Sequence, residues 1–105
     1  NFTTRRYHMS FIEQAYLELK TIDPSITATE FSTKWLNKCS SYYRSYKTRN
    51  RDMTLHALMC LLVNLSNKSD ALRMNNSHQL LHEKADQYDQ LESLIKSQIN
   101  SFIAK

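Results

Sequence analysis

The stretch "TATEFSTKWLNKCSSYYRSYKT", Thr27 to Thr48, decides how this chain folds. Its first residues place Thr27 and Glu30 three apart, the two ends of a capping box, in which the hydroxyl accepts a first-turn N–H and the glutamate reaches back to the cap. A helix is therefore expected from about Ala28. Phe31, Trp35 and Leu36 then share one apolar face, and Trp35 with Phe31 is expected in the core. The helix should stop at Asn37, a residue that tolerates the left-handed conformation in a chain that has no glycine. "CSS" offers a second cap, and Tyr42, Tyr43 and Tyr46 lead a short helix to about Thr48. The order is a short helix, a sharp turn, and a second short helix with a polar, basic outer side.

Composition agrees with an all-α fold. The 105 residues include no Gly and one Pro, which argues against hairpin-rich β structure, because tight strand turns usually need positive φ. With 41% hydrophobic and 23% charged residues, the chain has the make-up of a small globular unit whose core is marginal unless association helps it.

Upstream, His8 to Thr21 puts Phe11, Ile12, Ala15, Tyr16 and Leu19 at amphipathic helical spacing, and Pro24 disfavours helical geometry at Asp23. Downstream, Thr54 can cap a helix in which Leu55, Leu58, Met59, Leu62, Val63 and Leu65 form a broad apolar face. "SNKSD", residues 66–70, is the expected break, with a continuous helix as the alternative because the string holds neither Pro nor Gly. Beyond it Met74, Leu81, Tyr88, Ile95 and Phe102 recur every seven residues, and Leu91, Leu94 and Ile99 widen the stripe. One helix of about 30 residues would be roughly 45 Å long. Ser77, Lys84 and Gln98 interrupt any strict zipper.

The expected organisation is thus a compact bundle of about four helices over residues 1–67, then a C-terminal dimerisation helix over 68–105. A helix of that length should leave part of its apolar face wet in a monomer. Met74, Leu81, Tyr88, Leu91, Ile95 and Phe102 are accordingly expected to form a homodimer contact.

From Ile26 to Leu65, "ITATEFSTKWLNKCSSYYRSYKTRNRDMTLHALMCLLVNL" resembles the lambda-repressor-like (Cro and phage repressor) helix-turn-helix family. The matching features are a "TxxEF" start to the second helix, a basic loop, and an apolar helix after "MTL". The resemblance implies that Asn37 stands where the family usually has the turn glycine. It implies that Tyr43 and Tyr46 occupy the two buried positions of a recognition helix, so that Ser40, Ser41, Tyr42, Arg44, Ser45 and Lys47 face outward. Three features depart from the pattern: Thr33 stands in place of a small Ala, Lys38 in place of an apolar residue, and "TKWLNK" is one residue longer than in many members.

Charge points the same way. Lys34 to Arg51 holds six basic residues and no acid, whereas Glu83 to Glu92 holds four acids and one Lys, so the net charge of +4 is concentrated on the helix-turn-helix unit. A basic patch binds phosphates by releasing condensed counterions, and polar side chains on a recognition helix reach base edges. The expected DNA contacts are Lys38, Ser40, Ser41, Tyr42, Arg44, Ser45, Lys47, Arg49 and Arg51. Arg44 and Lys47 would supply binding, Tyr42 and Ser41 would tune specificity, and Arg49 and Arg51 would hold the backbone. The expected function is a dimeric transcriptional regulator of double-stranded DNA, of bacterial, plasmid or phage type. The alternatives are a helical adaptor that binds a protein through its C-terminal stripe, and an RNA-binding protein using the same patch.

Other chemistry is weakly represented. The longest apolar run, "ALMCLLV" from Ala57 to Val63, is far short of the roughly 20 residues that span a bilayer. No basic start followed by an apolar stretch is visible, so a cytoplasmic location is expected, although the chain opens at Asn1 without Met and trimming is compatible with that. Cys39 and Cys60 are expected as reduced thiols, Cys60 in the core. His78 and His82, at i and i+4, lack a third convergent ligand, so no metal is expected. Asp86, Asp89 and Glu92 read as a solubilising row. With no nucleophile–base constellation and no phosphate-cradling Gly loop, neither catalysis, a cofactor nor a small-molecule substrate is expected.

Overall fold

The computed structural model describes residues 9–49, 51–74 and 79–104, and these form five helices with no strand among them. Helix α1, Phe11–Ile22, starts where the Ser10 hydroxyl accepts the Glu13 N–H, and it buries Ile12, Ala15, Leu19 and Ile22. It ends at Asp23, before Pro24. There the Lys20 ammonium donates to the carbonyls of Pro24 and Ile26, tying the turn to the helix.

Helix α2 begins as expected. Thr27 Oγ1 accepts the Glu30 N–H at 3.1 Å and Glu30 Oε1 accepts the Thr27 N–H at 3.2 Å, a complete capping box. After one α-turn, Ala28–Glu30, the helix widens to a π-turn over Phe31–Trp35, closed by the Leu36 N–H on the Phe31 carbonyl. A π-turn takes up one residue more than an α-turn. Asn37 follows with φ 58°, the left-handed stop, and the Lys38 N–H returns to the Ser32 carbonyl at 2.9 Å.

Helix α3, Tyr42–Thr48, has the expected bounds, but its expected cap is not made. Ser41 offers no side-chain hydrogen bond to the first turn; its hydroxyl lies 3.6 Å from Cys39 Sγ instead. α3 is held by a different serine. Ser32, fully buried, donates to the Ala28 carbonyl and accepts the Tyr43 N–H at 2.9 Å, pinning α3 to α2. The rings of Tyr16, Phe31 and Tyr43 close around that pin, with centroids 4.5–5.6 Å apart.

Helix α4, Leu55–Met74, is capped by Thr54, whose hydroxyl accepts the Ala57 N–H. It runs unbroken through "SNKSD". The string is polar because Asn67, Lys68 and Asp70 face solvent, while Ser69 is buried and donates to Asp89 Oδ1 at 2.7 Å. The buried stripe is Ala57, Leu58, Leu61, Leu65 and Ser69, so the broad face expected from Leu55 to Leu65 is narrower than the sequence implies. Met59 and Val63 point away from it and are 53% and 57% exposed, because a helix apolar on several sides has only one core to face. Cys60 is half-buried rather than in the core.

Helix α5, Gln79–Ala104, runs back along α4 and also packs on α1. Ala85, Tyr88, Leu91 and Ile95 are buried, and Tyr88 stacks on Trp35 at 6.1 Å and 17°. This corrects the expected dimer contact. Tyr88, Leu91 and Ile95 fill the cleft between α1 and α4 of their own chain, Leu81 is half-buried, and Met74 belongs to α4. Of the expected six, only Met74, at 82%, and Phe102, at 42%, are exposed; Leu80 and Ile103 join them. Asp86 and Asp89 are no mere solubilising row either: both pair with Arg73, fastening α4 to α5, while Glu92 pairs with Lys96 one turn on.

Candidate nucleic-acid interface

The α2–turn–α3 unit sets the orientation of the basic stretch. Tyr43 is buried, as expected, against α1 and α2. Tyr42 is buried too, which overturns its expected outward position. Its ring stacks on Tyr46 at 4.1 Å, and its hydroxyl accepts the Thr54 N–H at the start of α4. Two adjacent tyrosines thus serve two neighbours, Tyr43 the α1–α2 side and Tyr42 the α4 side. Burial pushes the Tyr42 phenol above its ordinary range. Tyr46 is correspondingly only half-buried, and the Arg51 guanidinium lies 5.5 Å above its ring.

What faces outward is Ser40, Ser41, Arg44, Arg49 and Arg51, with Ser45 half-exposed. Ser41, Arg44 and Ser45 share one side of α3 by helical spacing. Arg44 is tethered rather than loose: its Nη2 donates to Thr29 Oγ1 in the first turn of α2 at 3.1 Å. Lys47 stands at one margin, 3.8 Å from Glu13 and 5.9 Å over the Tyr43 ring. Lys38 stands at the other, its ammonium donating to His56 Nδ1 at 2.9 Å. Of the nine expected contacts, the fold leaves Ser40, Ser41, Arg44, Lys47, Arg49 and Arg51 exposed and Lys38 and Ser45 half-exposed, and it withdraws Tyr42.

Sequence reasoning missed Ser32 and Thr29, which fix α3 and Arg44 in place. Small polar residues inside an apolar helical stripe were the available signal for Ser32. Cys39, expected as a reduced thiol, is a free and exposed one between Lys38 and Ser40, and the Ser41 hydroxyl holds it below the ordinary thiol range. His78 lies outside the described residues, so the His78–His82 pair has no geometry here. Among the described residues no three potential metal ligands converge, and no helix is long and apolar enough to cross a membrane.

Fold and site together define a small all-α protein with one basic face built on a short helix pair. The chain belongs to a family of unknown function, DUF6626, whose model matches residues 12–105 and so takes in all five helices from the first core residue of α1 onward. No curated protein and no solved structure matches it.

Proposed function

We propose that this protein is a sequence-reading, double-stranded-DNA-binding transcriptional regulator that docks α3 against the major groove. The observation that carries the reading is the outward side of α3: Ser41, Arg44 and Ser45 are presented together, Arg49 and Arg51 follow, and residues 34–51 contain no carboxylate. Arg44, pre-positioned by Thr29, has the reach and donor fork to read a guanine edge, while Arg49 and Arg51 suit phosphates. One such unit reads few base pairs, so useful specificity calls for two copies on half-sites about 34 Å apart. The exposed Phe102 and Ile103 at the end of α5 are the apolar surface proposed to join them.

The test is selection of duplex DNA from a random pool, followed by titration of the winner and of random duplex at several salt concentrations. A selected site that outcompetes random DNA supports the reading. Arg44→Ala should then cost about 1–3 kcal/mol on the selected site and less on random duplex. Equal loss on both would leave a phosphate-binding protein without readout. Preference for single-stranded or structured RNA would transfer the same patch to RNA, and no binding at low salt would leave the helical adaptor.

A further inference from the structure

The residues of α4 that the core does not use line a second feature, which borders the basic stretch at Lys34 and Lys38. Met59 and Val63, about half exposed, share the outer side of α4 with His56 and Cys60 and form the floor of a groove of about 480 Å³. Its other wall is the π-widened end of α2, with Lys34 and the left-handed Asn37. This wall is fixed. The Asn64 amide donates to the carbonyls of Lys34 at 3.1 Å and Trp35 at 2.9 Å, so the groove is braced by the contacts that complete the π-turn. No carboxylate lines it. Lys34 stands at its edge with a largely exposed side chain, its ammonium 3.9 Å from the Glu30 carboxylate one turn back, and the Lys38 ammonium sits on His56.

An apolar floor with cations at its rim selects among occupants. A duplex has no use for exposed Met and Val side chains. A second copy docking the same face would bring its own Lys34 and Lys38 against this pair, and the Glu30 carboxylate, 3.9 Å from Lys34, pairs with only one of the two. We infer that the groove binds an acidic amphipathic helix of a partner protein, with apolar anchors over Met59 and Val63 and carboxylates on Lys34 and Lys38. This is the helix-in-groove mode, in which an apolar stripe gives affinity and rim charge gives orientation and choice of partner. A methionine in the floor suits it, because its unbranched side chain adapts to different anchors.

The probe is a short synthetic helix with Leu and Phe at i, i+3, i+4 and i+7 and Glu at its other positions, titrated into the full chain by methyl and amide NMR. Two control peptides accompany it, one with Lys in place of every Glu and one with the same composition scrambled. The expected result is movement of the Met59 and Val63 methyl signals, with the acidic amphipathic peptide binding at least about tenfold more tightly than either control, a difference of about 1.4 kcal/mol. Val63→Asp, at an exposed position, should abolish that preference without changing thermal unfolding, whereas Arg44→Ala should leave it intact. The inference is overturned by equal binding of the Lys peptide or by absence of binding. It is also overturned by shifts centred on α3 instead of the groove, or by methyl shifts that follow dilution of the protein alone, which would make a second copy the occupant.

Discussion

At the scale of single residues, the tyrosines show what burial does to a side chain that the sequence leaves ambiguous. Tyr42 and Tyr88 both lie in the core, and burial pushes both phenols above their ordinary range, Tyr88 with a further contribution from the Asp23 carboxylate. A raised phenol favours the protonated form in the folded chain. Its contribution to stability is therefore complete below the ordinary phenol range, about pH 10, and is lost as pH rises through the raised value. Tyr88→Phe keeps the ring on Trp35 and removes the ionisation, so its alkaline unfolding midpoint should lie above that of the wild type. Phenolate absorbance and circular dichroism followed together would check this, and an unchanged midpoint would assign alkaline unfolding to other groups. Tyr42→Phe should change DNA affinity less than about threefold, since the hydroxyl faces α4 and a single neutral hydrogen bond is worth about 1 kcal/mol to stability. Caps such as Thr27 and Glu30 are legible in sequence because both partners lie within one turn. The directions of Tyr42 and Tyr43 are not, because they depend on which helix packs on each side.

At the scale of elements, α2 ends in a device that depends on a distant residue. A π-turn leaves carbonyls without their usual helical partners, and here Asn64, some 30 positions away, supplies the donors. Asn64→Ala should destabilise the chain by about 1–3 kcal/mol, the cost of removing one side of partly buried hydrogen bonds. Urea unfolding would measure it, and a loss under about half a kcal/mol would make the brace incidental. Asn37 can be tested in the same assay. With φ at 58°, Asn37→Gly should be neutral or mildly stabilising, whereas Asn37→Ala should cost about 1 kcal/mol because it keeps the Cβ that crowds the following carbonyl and loses the short polar side chain that offsets this locally. The stop at Asn37 is readable from the sequence; the π-turn before it is not, because the side chain that satisfies its carbonyls comes from another helix. "SNKSD" misleads for a related reason. Ser69 is a buried polar residue satisfied by Asp89 on another helix, and nothing local distinguishes it from a loop serine.

At the scale of the whole molecule, the seven-residue recurrence from Met74 to Phe102 is real in the sequence, but its middle belongs to the core of a single chain. A stripe that can face either a partner or its own bundle has the same period in both cases. What decides is the cleft between α1 and α4, where Tyr88, Leu91 and Ile95 are buried. Each large apolar side chain withdrawn from water contributes about 1.5–3 kcal/mol, so Tyr88, Leu91 and Ile95 together contribute roughly 5–9 kcal/mol. A small domain has only about 5–15 kcal/mol of net stability. Cutting the chain after Leu72 would remove these three residues and the Arg73 pairs with Asp86 and Asp89, and it would strip the cover from Leu61, Leu65 and Trp35. The truncated chain should therefore lose cooperative thermal unfolding and amide dispersion, and with them all but charge-driven DNA association. A dispersed amide spectrum from that fragment would show instead that α1 to α4 close on themselves. α5 would then be an appendage whose stripe is available to another chain.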